Sequence, residues 1–497
     1  MTLRPTLDEV RALAGSADGN VVPVFRDVMA DLETPVTAFL KLRDGPYCFL
    51  LESVEGGERV ARYSFIGSEP YRVLKTGPGQ EWAGDPLIPL EKELDRYRLI
   101  NTQGLPPFTG GAVGYVAYDA VRHFEPRVDR QLEDTLGIPE AVFMFCDAMV
   151  VFDHVHHTLK VIAHCRLDGD IDKAYAAAAA RIERMVERLS NPTVPLPKES
   201  AGRVAITSEP PVSNQGREGY MGMVSTIKDY VVAGDVIQVV PSHRLARKTA
   251  VDPFNAYRQM RMVNPSPYMF YLDLDGFQIV GASPELLVRV ENGVVINHPI
   301  AGTRRRGANE AEDAAIAKEL LADEKEVAEH IMLVDLGRND VGRVAEPGTV
   351  KVDLFMDVER FSHVMHIVSH VSGKLAKGRT RFDAFRSIFP AGTLSGAPKI
   401  RALEIISELE GERRGVYGGA VGYAAFSGSL DTCIGIRTVL FKDGVAYLQA
   451  GGGIVFDSDP AAEYEETVNK FAGPMRAIDA AEIAAAERWA ASRSDRQ

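Results

Sequence analysis

The sequence predicts an α+β fold: a layered α/β/β/α sandwich of mainly antiparallel sheets with flanking helices. Three observations point there. Short strand patterns follow one another across tight turns such as Asp273 to Gly276 and Glu291 to Gly293, which is meander chemistry and not βαβ alternation. Helical periodicities occupy stretches of their own, at about 168–189, 217–234, 311–337, 380–389, 398–411 and 460–486. The 497 residues are 45% apolar and 25% charged, ordinary globular composition for a chain long enough to make two or three domains.

Charge narrows the partners. With 56 basic against 69 acidic residues the net charge is -13, which disfavours nucleic acid or an anionic membrane surface. Met1 to Val10 has no apolar signal core, and the alanine-rich run Ala174 to Ala180 is too short to span a bilayer, so a cytoplasmic protein with no membrane contact is expected. Four cysteines, Cys48, Cys146, Cys165 and Cys433, include no C-x-x-C pair and fit reduced thiols.

Residues to about 165 read as β-rich, with strands at Tyr47–Leu51, Tyr71–Lys75, Gly111–Tyr118 and Ala141–Phe152. Cys146, His154, His156, His157, His164 and Cys165 invite a zinc reading. We reject it, because the stretch looks like two strands and a turn, and its spacing fits no standard zinc pattern. An Ala-rich helix follows over Asp168–Leu189. The segment 191–216 then carries Pro192, Pro195, Pro197, Pro210 and Pro211, the composition of a linker or long surface crossing. The expected domains are therefore 1–190 and 217–497, joined by 191–216.

The second part opens with a helix whose Tyr220, Met223, Val224, Ile227, Tyr230 and Val231 share one face, capped by Gly234. In the strand Val236–Val240, Gln238 lies on the face of Val236 and Val240, so its amide points inward and needs a partner. Further strands are expected at Met269–Leu274, Phe277–Gly281, Leu286–Val290 and Val294–Asn297. The hexapeptide Gly-Gly-Ala-Val-Gly-Tyr occurs twice, at Gly110–Tyr115 and Gly418–Tyr423, and suggests two similarly built strand entries. Neither a dinucleotide fingerprint nor a P-loop is found.

Several stretches bear chemistry. Ile331 to Leu336 would make a helix apolar on every side, yet Glu329 falls in line with Met332, Leu333 and Leu336. A carboxylate there needs a cation, a proton or hydrogen bonds, with Lys325 or Arg338 as the plainest counter-ions. On a strand Cys433–Phe441, Arg437 shares a face with Cys433, Gly435 and Val439; it has room for a bound anion or for a protein acid. Gly451, Gly452 and Gly453 end another strand and let backbone N–H groups approach a ligand. The last helix begins at Asp459 and Pro460 with a core stripe Tyr464, Val468 and Phe471, while Glu466 can pair with Lys470.

Taken together, Pro299 to Gly307, Ala328 to Asp340, Gly392 to Lys399 and Tyr417 to Gly419 closely resemble the chorismate-utilising enzymes. Within them the likeness is to the branch that makes anthranilate, and it covers nearly the whole chain. Leu51 to Ser53 and Arg62 to Gly67 resemble that branch's N-terminal regulatory region, and 217–473 its chorismate-binding catalytic domain.

The resemblance implies a magnesium-dependent lyase. Glu329 and Glu466 match the family's metal ligands; Gly302, Thr303, Tyr417, Arg437 and Gly451 to Gly453 match positions that hold chorismate. Glu285 matches the general acid for the departing 4-hydroxyl, and His366 a histidine used in pyruvate elimination. Water-adding members have a lysine where this chain has Gln238, and aminodeoxychorismate synthases have one where it has Ala301. Both differences favour ammonia attack at C2. With no nucleophile-elbow cysteine and downstream His-x-Glu pattern, ammonia is expected from a separate glutamine amidotransferase subunit in a hetero-oligomer. Ser53, Pro267, Tyr268 and Met269 match a pocket for tryptophan as inhibitor. The alternatives are the folate-branch aminodeoxychorismate synthase and a catalytically silent tryptophan-binding subunit.

Overall fold

All six residues of β6 (Ala141–Cys146) are buried, which a strand achieves only when both faces of its sheet are covered. Phe143 and Phe145 belong to a core beneath helices, whereas Val142 and Met144 belong to a core shared with a second sheet. The same division runs through the computed structural model, which describes residues 2–16, 18–53, 62–100, 102–197, 209–361 and 364–494.

Among the described residues one sheet has eleven strands. Its order is β1 (Val21–Met29), β8 (Thr158–Arg166), β7 (Ala148–Asp153), β3 (Tyr63–Ser68), β2 (Tyr47–Glu52), β12 (Tyr268–Leu274), β13 (Phe277–Ser283), β22 (Thr438–Lys442), β23 (Val445–Gly451), β11 (Ser242–Lys248) and β9 (Val212–Ser213). The other runs β16 (Ile300–Arg305), β18 (Val364–Lys374), β15 (Val294–Asn297), β14 (Leu286–Glu291), β21 (Leu430–Ile434), β20 (Ala420–Ala425), β5 (Gly111–Val116), β6 and β4 (Arg72–Thr76), with β17 (Lys351–Arg360) also on β18. A two-stranded ladder joins β10 (Gln238–Val239) to β19 (Gly396–Ala397).

Three cores follow from this layering. Phe49, Phe270 and Leu272 of the first sheet meet Val113, Tyr115 and Val421 of the second. The outer face of the first sheet is covered by α1 (Leu7–Ser16), α2 (Pro35–Leu42), α4 (Ile171–Leu189), α6 (Pro253–Val263) and α11 (Pro460–Ser494). That of the second is covered by α3 (Leu87–Leu94), α8 (Glu324–Gly342), α9 (Arg381–Ile388) and α10 (Lys399–Glu410). The expected α/β/β/α sandwich is the architecture found. No helix among the described residues is long and apolar enough to cross a membrane.

Both sheets draw strands from either side of the proline-rich stretch. β2 pairs with β12 and β5 with β20, so 1–190 and 217–497 are continuous within shared sheets; 198–208 of the segment between them lie outside the described residues. The repeated hexapeptides pair with each other. Gly114 stands opposite Gly422 and Tyr115 opposite Val421, and a Cβ on Gly114 would come within 1.8 Å of the Val142 oxygen.

Local expectations needed correction where tertiary packing decides. The helix expected over 311–337 is two, α7 (Glu310–Ala322) and α8, because Asp323 leaves helical geometry to cap the N–H groups of Lys325 and Glu326. α8 is not buried all round: Leu333, Val334 and Gly337 face inward while Ile331 is 42% exposed. The stretch 141–152 divides at Asp147 into β6 and β7. In α11 Thr467 is buried and bonds His243, whereas Val468 is exposed, so Val468 leaves the core stripe. α5 (Gly216–Ala233) is as expected, with Gly234 left-handed at its C-cap.

Candidate active site

The chain passes between the two sheets at neighbouring crossovers, and each carries one polar side chain of interest. Pro284 and Glu285 link β13 to β14; Gly435 to Arg437 link β21 to β22. The crossovers are laced together by the Ala282 N–H donating to the Arg437 carbonyl at 3.2 Å and the Ile434 N–H to the Glu285 carbonyl at 3.0 Å. The continuous strand expected over Cys433–Phe441 is therefore broken, and Arg437 sits at φ 51, in the left-handed region. That conformation costs a non-glycine residue about 1–3 kcal/mol and persists only where surroundings impose it.

Glu285 is buried and its Oε1 accepts a hydrogen bond from Thr393 Oγ1 at 2.8 Å. Burial lifts its carboxyl to about 7, against the opposing pull of Thr393 and Arg437. The Arg437 guanidinium makes no ion pair among the described residues, and desolvation lowers its pKa, opposed by Tyr417, Glu466 and Glu285 nearby. An unpaired, desolvated guanidinium calls for an anion. The reading of Arg437 as an arginine paired with a protein acid is set aside.

Two helices bring carboxylates to the same place. Glu329 of α8 has one side-chain hydrogen bond among the described residues, from Gln238 Nε2 to its Oε1 at 3.4 Å, and its pKa is raised by desolvation and by the charges of Glu326 and Glu466. The Lys325 charge opposes that rise without forming an ion pair among the described residues, and Arg338 pairs instead with Asp335 at 2.7 Å. Glu466 of α11 bonds Lys470 at 2.6 Å, and Lys470 also donates to the Gly451 carbonyl at 2.8 Å. Gln238 is 4% exposed and its Oε1 has no partner among the described residues.

The glycines are close approaches. A Cβ on Gly453 would lie 2.1 Å from Gln238 Nε2, and one on Gly452 3.2 Å from Glu463 Oε2. Gly302, at φ 68 in the irregular part of β16, has Glu326 Oε2 3.1 Å from where its Cβ would stand. His366 Nδ1 lies 2.9 Å from the Gly302 carbonyl and 3.1 Å from Thr303 Oγ1. Since a carbonyl only accepts, Nδ1 carries the proton and Nε2 the lone pair. Burial lowers the His366 pKa. Tyr417 is buried, pushed up to about 12 by desolvation, and lies under the Arg414 guanidinium.

Glu326, Glu463 and Thr393 belong to this constellation although no role follows for them from the sequence alone. The one signal was spacing: Glu326 precedes Glu329, and Glu463 precedes Glu466, by three residues on their helices. Among the described residues no three His, Cys, Asp or Glu converge tightly enough to hold a metal by themselves. Glu329, with the charges of Glu326 and Glu466 near it, and Glu466, paired with Lys470, fit a hard divalent cation that takes its remaining oxygens from water or substrate.

Ser53, Pro267, Tyr268 and Met269 do not join this site. All four line a separate cavity of about 440 Å³ with Leu51, Arg289, Tyr423 and Asp431. There Tyr268 donates to Asp431 at 3.1 Å and accepts from Arg289 at 3.1 Å. The histidines and cysteines of the rejected zinc reading form no metal-binding group among the described residues.

Comparison with known proteins gives the family. The family described as chorismate binding enzyme matches residues 46–476. The chain is 51% identical over 491 residues to a probable anthranilate synthase component 1 of Schizosaccharomyces pombe, covering 98% of this chain and 99% of the relative. It is 48% identical to anthranilate synthase component 1 of Acetivibrio thermocellus, covering 96% and 99%. The crystal structure of anthranilate synthase component I from Streptococcus pneumoniae TIGR4 superposes with a TM-score of 0.75 at 37% identity, covering 90% of this chain and 99% of that one. On fold, site geometry and full-length similarity, the chain belongs to the chorismate binding enzyme family, in its anthranilate synthase component 1 branch.

Proposed function

We propose that the chain converts chorismate and ammonia to anthranilate and pyruvate. The observation that carries this is the pair formed at the two crossovers: a buried carboxyl that holds its proton near neutrality beside an arginine that forms no ion pair among the described residues. Arg437, Tyr417, Thr303 and the Gly451 to Gly453 backbone bind the substrate carboxylates. Glu329 and Glu466 would hold magnesium, which would supply Lewis-acid charge stabilisation of the substrate.

Glu285 gives its proton to the 4-hydroxyl, which leaves as water while ammonia bonds to C2. The proton shed by the new ammonium group restores Glu285, so the first half balances. His366, neutral and with its lone pair on Nε2, then takes the C2 proton; the ring C–O bond to the enolpyruvyl group breaks, the ring becomes aromatic, and the departing enolate takes up a proton at carbon to become pyruvate. Gln238 and Ala301 supply no lysine, which supports ammonia at C2 over water or a covalent route to C4.

Ammonia reaches the site from a glutamine amidotransferase subunit, the second component implied by the relatives' name, in a cytoplasmic hetero-oligomer. The cavity at Ser53, Pro267, Tyr268 and Met269 takes tryptophan as feedback inhibitor. Incubating the purified chain with chorismate, a magnesium salt and an ammonium salt should give anthranilate fluorescence and stoichiometric pyruvate. Isochorismate or aminodeoxychorismate as the main product would overturn the reading.

A further inference from the structure

We propose that His330 is a positioning residue that acts through Ser369 to keep α8 in step with His366 on β18, so that the aminated intermediate goes on to lose pyruvate without being released. The proposal rests on the reaction given above. His330 follows Glu329 in α8 and is fully buried. Its Nε2 lies 2.7 Å from Ser369 Oγ, and the same oxygen accepts the Met356 N–H at 3.0 Å. The Ser369 N–H donates to the Pro299 carbonyl at 3.1 Å. Met356, at φ 55, sits where the β17 ladder loses register. A single residue of β18 thus fastens α8, β17 and the entry to β16.

His366 lies three residues earlier on β18, and Gly302 on β16, so Ser369 links the strands that carry them to the helix that carries Glu329. Packing alone does not account for the imidazole. His330 Nδ1 has no hydrogen-bond partner among the described residues, so the ring buries one polar nitrogen unsatisfied and keeps one bond. An apolar pair of the same shape would serve packing as well or better. What the imidazole adds is a fixed position.

Three variants test this: His330→Phe, Ser369→Ala, and His330→Gln, whose amide nitrogen can reach the same hydroxyl. Products are separated to give the ratio of non-aromatic aminated intermediate to anthranilate, and Tm is measured with and without magnesium alone. His330→Phe and Ser369→Ala should raise that ratio by at least about tenfold, as displacement of a reacting group by a fraction of an ångström can. His330→Gln should bring it back toward wild type, and the magnesium-dependent rise in Tm should shrink in the first two variants. An unchanged ratio in folded Ser369→Ala, which loses a single oxygen, would overturn the proposal even if His330→Phe fails to fold. So would an equal rise in the core variant Val334→Ala at matched loss of Tm. A wild type that makes no anthranilate would instead remove the parent reading.

Discussion

Burial works on Glu285 in two directions at once, suiting it to the proposed acid role and costing the fold stability. With its pKa near 7, the carboxyl is protonated on the acid side of neutrality, so kcat/KM for chorismate at saturating ammonia should fall as pH rises through about 7. Glu285→Gln should lower kcat by about 10²- to 10⁴-fold, measured with ammonium as donor. The sign for stability follows from the same shift. The native state keeps a proton that the unfolded chain loses above 4.5, so the stability tied to this group is lost as pH rises from there through about 7. The loss is on the order of 3 kcal/mol. Urea unfolding should find Glu285→Gln gaining on wild type at about pH 8 and not at about pH 4. Arg437 obeys a different logic, because its buried guanidinium forms no ion pair among the described residues. Arg437→Gln should reduce kcat/KM by roughly 10- to 100-fold, and Arg437→Lys should restore little of it, since a point charge cannot reproduce the planar fork. Steady-state kinetics in chorismate would show a failure as a lysine variant close to wild type.

Helices and strands divide sharply in how much of them was legible. α5 announced itself because four buried side chains fall at helical spacing and Gly234 closes it. The Cys433–Phe441 strand misled because alternation carries no sign of a crossover: Arg437 adopts a left-handed backbone imposed by contacts from β13. Asp323 misled in the other direction, reading as one more helical acid when it caps α8. The repeated hexapeptide showed kinship but not pairing, since antiparallel register depends on partners hundreds of residues away. The metal-side carboxylates were visible as a pattern only through family resemblance, because an acid on an apolar stripe is equally a salt-bridged helix until its neighbours are known. α8 and α11 now each present one, and both helices have other anchors. Glu329→Gln and Glu466→Gln should therefore keep wild-type circular dichroism, while abolishing turnover with magnesium as the only divalent ion. Near wild-type activity in either would remove that carboxylate from the site.

The proposed regulation would draw on the whole molecule, through both sheets. The 440 Å³ cavity is walled by β2 and β3 from the first part of the chain and by β12, β14, β20 and β21 from the second. Two of those strands lead straight into the active site. β14 begins one residue after Glu285, and β21 runs into Gly435 to Arg437; between them Arg289 and Asp431 bond at 2.8 Å in the cavity wall. A ligand filling the cavity therefore touches the strands that place the acid and the arginine. By linkage it inhibits only by binding a less active arrangement more tightly, and chorismate must weaken its binding by the same factor. Ser53, one residue past the end of β2, lines the cavity. Enlarging it should relieve inhibition and spare uninhibited turnover. We expect tryptophan to inhibit the wild type, chorismate to raise the concentration required, and Ser53→Phe to shift the inhibition curve to at least about tenfold higher tryptophan, a loss of at least about 1.4 kcal/mol in binding. Superimposable curves for wild type and Ser53→Phe would remove Ser53 from the inhibitor site. A wild type indifferent to tryptophan would remove the regulatory role of the cavity altogether.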